Sequence, residues 1–149
     1  MRKIKTDRFG EIEVEENQIA HFKEGIPAFE EEHEFVILPY EEGSPYYFMQ
    51  SVKSAELAFI LTVPFIFFPD YTIEIDDDTI KKLDIKNQDS VEIYTLLTIP
   101  NGSVRYMTAN LLAPIVINGE NMQAQQIILD KSNYQTKHRL FPDTVKEGK

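Results

Sequence analysis

The stretch that most constrains the fold is Leu57–Ile75, where a short apolar run leads through two prolines into an alternating segment. Ala58–Val63 is rich in β-formers and too short to cross a bilayer as a helix. It therefore predicts a strand buried on both faces, although the pattern also fits a buried helical segment. Pro64 cannot donate to a β-ladder and ends this strand. From Tyr71 onward apolar and polar side chains alternate, which predicts a half-buried strand over Tyr71–Ile75.

The segment Pro64–Tyr71 between these two strands is dense in aromatic residues. Pro69 fixes its own φ and Asp70 can bond to nearby backbone, so the pair predicts a turn. Two interpretations of the segment stay open. Its aromatic side chains either pack into the core, as alternate residues of strands do, or remain exposed and dock an apolar and basic partner surface.

Gly, Pro and Asn turn signals divide most of the chain into short segments with β-patterns. Asn101-Gly102 and Asn118-Gly119 are typical of hairpin turns. About ten strands at 8–12-residue intervals, without alternating helices, predict an all-β fold. We expect one domain, residues 1–149, built as a small antiparallel β-barrel or sandwich-like barrel with one or two short helices. The remaining predicted strands are Arg2–Lys5, Glu11–Glu15, Ile19–Phe22, Glu34–Tyr40, Tyr46–Val52, Val91–Ile99, Val104–Thr108, Asn110–Asn118 and Met122–Leu129.

Helical patterns occur at two places. Asp76, Asp77 and Asp78 precede apolar residues at helical spacing, which predicts a short helix with an aspartate at its N-cap. Tyr134, His138 and Leu140 are spaced weakly like one helical face, within a polar, basic C-terminal tail over residues 131–149.

The charge of the chain is uneven. Of its 15 Lys and Arg and 25 Asp and Glu residues, five basic and two acidic ones lie in residues 131–149, so residues 1–130 carry a net charge of −13. A body of that sign repels phosphate backbones, so direct nucleic-acid binding is not expected. An acidic surface attracts a basic protein, although net charge also serves solubility alone.

Residue patterns typical of catalysis are not found. The chain has no cysteine and no phosphate-binding glycine loop, and its three histidines lie apart without metal-ligand spacing. Asp76–Asp78 resembles half of a calcium loop but lacks the glycine and the distal glutamate. We expect no enzyme, no cofactor and no metal. No signal sequence or membrane-length run is apparent, so the expected compartment is the cytoplasm.

One alternative belongs to another functional class. A β-barrel of this size can carry a small apolar ligand, as lipocalins do, or hide an unrecognised carboxylate pair of a hydrolase. The many bulky side chains predict a filled barrel without a ligand cavity.

Several motifs in order resemble the FliW family of flagellar assembly factors over roughly Phe9 to Leu140. The family commonly has glycine where Ala28 stands here. The motifs are Gly25-Ile26-Pro27-Ala28-Phe29-Glu30 with Phe35 downstream, Phe48-Met49-Gln50-Ser51, Ala58-Phe59, Phe68-Pro69-Asp70-Tyr71, Thr98-Ile99-Pro100 and Thr108-Ala109-Asn110-Leu111-Leu112-Ala113-Pro114-Ile115-Val116-Ile117-Asn118, followed by Gln126 with Ile128-Leu129 and finally Tyr134 with His138.

The resemblance implies a small antiparallel β-barrel, no catalysis and two protein partners. One is CsrA, a dimeric RNA-binding regulator that represses flagellin translation; the other is flagellin itself. Flagellin would hold the protein until export depletes it. The released protein, a monomer when free, would then bind CsrA and relieve repression.

From the resemblance and the loop composition we predict a partner-binding patch and a secondary acidic surface. The competing interpretation is that Phe68-Pro69-Asp70-Tyr71 forms a structural turn between core strands. The patch is Phe48, Gln50, Phe65, Phe67, Phe68, Pro69, Asp70 and Tyr71, and the acidic surface is Glu30, Glu31, Glu32, Glu34, Asp76, Asp77 and Asp78.

Overall fold

Residues 1–141, which this computed structural model describes, form eleven β-strands and one α-helix. No helix in this range is long and apolar enough to cross a membrane. The elements are β1 (Arg2–Thr6), β2 (Gly10–Val14), β3 (Ile19–Phe22), β4 (Glu34–Pro39), β5 (Tyr46–Ser51), β6 (Ala58–Thr62), α1 (Asp77–Lys82), β7 (Val91–Thr98), β8 (Thr108–Ala109), β9 (Ile115–Asn118), β10 (Gln123–Gln126) and β11 (His138–Arg139).

Seven of these strands close into a barrel. Going round it, β3, β4, β5, β6, β7, β9 and β10 are neighbours, and β10 returns to β3. The predicted all-β barrel is therefore confirmed. Its pairings are antiparallel except one, because β10 runs parallel to β3, with Gln123 opposite His21. The predicted antiparallel barrel therefore closes through a single parallel seam.

Side chains fill the barrel interior. Phe22, Phe35, Met49, Leu61 and Ile115 are all at most 1% exposed and pack in one cluster. Because side chains alternate across a strand, the neighbouring residues of these strands point outward. Closing the barrel thus leaves a second apolar surface outside it, which other segments must cover.

The β1–β2 hairpin covers one part of that outer surface. Ile4 and Val14 pack on Ile19 of β3 and Val36 of β4. On the solvent side, Lys3 and Lys5 lie opposite glutamates of β2, as cross-strand pairs of opposite charge. The predicted strands Arg2–Lys5 and Glu11–Glu15 are present as β1 and β2, which pair as a hairpin.

A second layer covers the outer face of β7 and β9. It consists of the segments 67–85, 107–112 and 127–140, whose Tyr71, Leu83 and Leu140 are buried with Leu97 and Val116. This layer places the aromatic segment that follows β6 on the outside of the barrel.

The predicted strand Tyr71–Ile75 was wrong. Its alternation is real, since Tyr71 is buried while Thr72 and Glu74 are exposed. No strand of residues 1–141 pairs with it, however, and the segment is not part of a sheet. Alternating burial arises here because an extended chain lies across the outer face of the barrel.

The predicted helix is confirmed as α1. The N–H of Thr79 donates to the carboxylate of Asp76 at 2.8 Å, which makes Asp76 the N-cap. At the other end, the side chain of Asn118 donates to the carbonyls of Leu83 and Asp84 at 2.9 and 3.1 Å. This bond ties the helix to the β9–β10 turn.

The later predicted strands were too long. Val104–Tyr106 forms a 3₁₀ turn, so only Thr108–Ala109 pairs back on β7. The expected strand Asn110–Asn118 shortens to Ile115–Asn118 beyond Pro114, which cannot donate to a ladder. The expected strand Met122–Leu129 shortens to Gln123–Gln126.

The C-terminal segment 131–141 lies on the barrel. The helical spacing of Tyr134, His138 and Leu140 does not produce a helix; His138–Arg139 instead pairs with β8 as β11. Leu140 is 6% exposed, and Tyr134 packs against Tyr71 at 4.7 Å between ring centres. The rest of the predicted basic tail, residues 142–149, lies outside the described residues.

Candidate partner-binding surface

The segment Pro64–Tyr71, called here the aromatic loop, is shaped by its own backbone hydrogen bonds. It begins with a 3₁₀ turn over Pro64–Ile66, in which proline occupies the first position that needs no N–H donor. The N–H of Phe68 donates to the Pro64 carbonyl at 2.9 Å, and that of Tyr71 to the Phe68 carbonyl at 2.9 Å. The predicted turn at Pro69-Asp70 is thus present, and the loop has a defined shape.

Three aromatic side chains of the loop anchor it to the barrel. Phe67 stacks on Tyr46 of β5 at 6.0 Å, and Phe68 meets the His138 ring edge-on at 6.1 Å. The Tyr71 hydroxyl donates to the Leu111 carbonyl at 2.7 Å. Burial, together with the nearby Tyr134, raises the pKa of Tyr71 well above its ordinary value, so this phenol remains a donor.

The tip of the loop points outward. Phe65 is 40% exposed and Ile66 is 55% exposed, while Pro69 and Asp70 are exposed beside them. Large apolar side chains held outward on an anchored loop suit a protein contact, because binding need not first order the loop. The loop therefore combines both sequence interpretations: its anchors serve the structure, and its tip is available to a partner.

Phe48 lies apart from this tip. It faces outward on β5, in a row with Leu38 of β4 and Ile60 of β6. The guanidinium of Arg8 lies over its ring at 4.6 Å and over the ring of Tyr40 at 5.0 Å. Phe48 belongs to an arginine–aromatic cluster that borders the β1–β2 turn, where its ring also meets that of Phe9 edge-on at 5.9 Å.

Gln50 is a structural residue in this fold. It is 1% exposed, and its amide nitrogen lies 3.1 to 3.3 Å from the carbonyl oxygens of Ser51, Ser54, Ala55 and Leu57. It holds the turn between β5 and β6 in place and presents no side-chain surface to a partner. The structure does not bring it together with the loop tip.

Five of the seven predicted acidic residues are engaged within the chain, among them Glu30, whose carboxylate accepts from the N–H of Ala28 at 3.3 Å. Glu34 binds Arg2 at 2.8 Å. Glu32 accepts hydrogen bonds from the hydroxyls of Ser51 at 2.6 Å and Ser54 at 2.7 Å. Burial raises the pKa of Glu32, but these two hydrogen bonds outweigh it and hold the pKa below its ordinary value.

The acidic residues at the start of α1 are also partly engaged within the chain. The pKa of Asp76 is lowered by its hydrogen bonds with Thr79 at the N-cap, and Asp78 pairs with Lys82 at 3.3 Å. Glu30, Glu31 and Asp77 are exposed. These three are the predicted acidic positions best placed to meet a partner.

Sequence reasoning missed Ile66, the most exposed large apolar residue of the loop. The sequence does contain a signal for this exposure, namely Pro64 at the start of a 3₁₀ turn. Such a turn places its middle residues away from the anchoring Phe67. Sequence reasoning also missed Arg8 and Tyr40. Both contact the ring of Phe48, and the three residues come from three separate segments of the chain.

Histidine and carboxylate groups do not assemble into a metal site within residues 1–141. His33 lies 2.8 Å from the Phe22 carbonyl, and the His138 ring accepts from the N–H of Gln135 at 2.9 Å. Both imidazoles are engaged by nearby backbone.

The fold is a small β-barrel filled with side chains, and it carries an anchored apolar loop on an acidic body, features that suit a protein contact. The model of the FliW protein family matches residues 3–140. The chain belongs to the FliW family, whose curated members are named flagellar assembly factors.

Two such relatives show the extent of the similarity. The chain is 48% identical to the flagellar assembly factor FliW of Bacillus subtilis over 137 residues, 92% of this chain and 95% of that protein. It is 46% identical to FliW of Geobacillus kaustophilus over 143 residues, 96% and 98% of the two chains. A solved crystal structure of the flagellar assembly factor FliW superposes with a TM-score of 0.88 at 44% identity, covering 95% of this chain and 99% of that chain.

Proposed function

We propose that this flagellar assembly factor works in the cytoplasm, without catalysis, as a switch between two protein partners, CsrA and flagellin. While flagellin is abundant it occupies the protein. When export depletes flagellin, the freed monomer binds CsrA and relieves the repression of flagellin mRNA. Membership of the FliW family supports this role, since the resemblance of the sequence to that family implies both partners.

One structural observation carries the proposal. Phe65 and Ile66 project from a loop whose flanking aromatics are anchored on the barrel, on a chain of net charge −10. An apolar contact at the centre with charge around it is the usual anatomy of a specific protein interface. We place the primary partner contact at this tip.

Electrostatics extends the proposal to the antagonism itself. CsrA must present cations to RNA phosphates, because phosphate contacts supply much of the affinity for RNA. Residues 1–130 carry 23 acidic and 10 basic side chains. When such a body binds near the cationic surface, its field opposes RNA even without covering the RNA contacts.

The test compares two exposed apolar residues on different surfaces. Ile66→Ser changes the loop tip, and Val104→Ser changes a side chain of similar exposure, 55% against 52%, in the 3₁₀ turn before β8. Each variant is titrated calorimetrically with CsrA and with flagellin. We expect Ile66→Ser to weaken binding of at least one partner about tenfold or more, a loss typical of a central interface residue.

The control variant decides how a loss is interpreted. Val104→Ser should bind both partners as the parent chain does. Equal binding by Ile66→Ser and the parent would remove the loop tip from the interface. No binding of either partner by the parent chain would overturn the proposed function itself.

A further inference from the structure

A second surface lies where the barrel seam between β3 and β10 opens. β3 pairs with β10 at only two positions, Gln123 with His21 and Ala124 with Phe22. Beyond Phe22 the chain turns away, and the N–H of Gly25 donates back to the Phe22 carbonyl at 2.9 Å. The strand that contains β10 continues without this neighbour.

The segment Gln126–Leu129, called here the free edge, is bonded on one side. The N–H of Ile127 donates to the Pro114 carbonyl at 3.0 Å, and that of Leu129 to the Leu112 carbonyl at 2.8 Å. Successive backbone groups of an extended strand point to opposite sides. The N–H and C=O groups of Gln126 and Ile128 therefore face the side that β3 has left.

The free edge also carries one exposed apolar side chain. Ile127 and Leu129 are each 8% exposed in the outer core, whereas Ile128, on the opposite face, is 66% exposed. Native proteins usually protect strand edges with charged side chains, proline or a covering element. Neither Gln126 nor Ile128 is charged, and an uncharged edge with an exposed isoleucine suits strand addition.

A cleft opens at the Gln126 end of the free edge. It has a volume of about 320 Å³ and is lined by Gln125 and Gln126 and by Gly25 and Pro27 of the turn that follows β3. Glu24 and Glu30 line it together with Lys23 and Lys82, and Lys82 is already paired with Glu24 at 3.6 Å and Asp78 at 3.3 Å.

The charge of the chain selects between possible occupants. A second copy would bring another net charge of −10 to the same edge, and like charges oppose such pairing. An extended segment that carries Lys or Arg is attracted by the same field. We propose that the free edge binds an extended, basic segment of a partner protein as an added β-strand, with an apolar side chain of that segment over Ile128.

This surface is separate from the aromatic loop, and its occupancy does not depend on the switch between partners. It is tested with a synthetic peptide, acetyl-Lys-Val-Lys-Val-Lys-Val-Lys-amide, and its glutamate counterpart as the charge control. Amide hydrogen exchange is measured with and without peptide. We expect new protection at the amides of Gln126 and Ile128 with the basic peptide alone, while Ile127 and Leu129 are protected throughout.

Two variants separate strand addition from unspecific attraction. Ile128→Pro removes an outward N–H that donates to no backbone carbonyl within residues 1–141, and Ile128→Ala keeps the N–H but removes the apolar contact. Both should weaken peptide binding about tenfold or more, Ile128→Ala serving if the proline variant does not fold. Val104→Ala, at an exposed apolar residue outside both proposed surfaces, is the matched control and should bind as the parent does.

Three results would overturn the inference. One is no protection at Gln126 and Ile128 at any peptide concentration that remains soluble. Another is binding that the Ile128 variants and Val104→Ala reduce equally. The third is protection that rises with protein concentration without peptide, which would show that a second copy occupies the edge.

Discussion

The turn at Ile26–Phe29 contains a residue that is poorly suited to its conformation. The N–H of Phe29 donates to the Ile26 carbonyl at 2.6 Å, with Pro27 and Ala28 at the two central positions. Ala28 has φ of +75°, as the third residue of a type II turn requires, and glycine is the usual residue there. Ala28→Gly should therefore stabilise the protein.

The size of the gain follows from two opposing terms. A left-handed conformation costs an L-residue roughly 1–2 kcal/mol, and Ala28→Gly relieves this cost. The greater freedom of glycine in the unfolded chain opposes it by about 0.4–1 kcal/mol. Ala28 is exposed, so no buried methyl group is lost. The expected net gain in free energy of unfolding is about 0.5–1 kcal/mol. For a domain of this size each kcal/mol raises Tm by about 2–4 °C.

The assay is urea unfolding followed by circular dichroism, since the chain has no tryptophan. Ala58→Gly in β6 is the control: Ala58 is also exposed but lies in a regular strand opposite Gln50. It should lose about 0.5–1 kcal/mol, the usual cost of glycine in a strand. If Ala28→Gly also destabilises the protein, the backbone strain inferred at this turn is refuted.

Two further predictions concern polar groups that organise loops. Gln50→Leu should lower the free energy of unfolding, measured in urea, by about 2 kcal/mol, because the carbonyls around its amide lose their donor. Gln88→Leu, at an exposed position, should change this free energy little. Equal effects of the two variants would contradict the structural role of Gln50. The lowered pKa of Glu32 contributes stability above its unfolded value of about 4.5, which is lost as pH falls through the folded value. In Glu32→Gln the free energy of unfolding should therefore fall less steeply as the pH is lowered below about 4.5, whereas Glu31→Gln should show the same acid dependence as the parent. An unchanged acid dependence in Glu32→Gln would refute the hydrogen bonds inferred for the Glu32 carboxylate.

The early strands were predictable because local and global signals agree there. In Arg2–Val14 the turn glycine, the alternation and the opposite charges all favour the same hairpin. Ala58–Thr62 is likewise bounded by a proline and filled with β-formers. Tyr71–Ile75 shows the limit of such reasoning, because alternation reports one buried face and not the presence of a neighbouring strand. The parallel β3–β10 seam depends on pairing across about a hundred residues, which no local pattern encodes.

The candidate site was predicted in composition but not in detail. The aromatic loop is where the sequence placed it, and the roles of its residues remain predictions. Which side chains anchor it and which project depends on partners distant in sequence, such as Tyr46 and His138. Gln50 looks like a surface amide in sequence, and only the carbonyls gathered around it reveal its structural role.

The most direct test of the proposed switch is calorimetric titration of the protein into CsrA, first alone and then with flagellin already bound. The account predicts binding by the free protein and its loss when flagellin occupies the protein. Unchanged binding in the presence of flagellin would contradict the switch and indicate separate, uncoupled surfaces for the two partners.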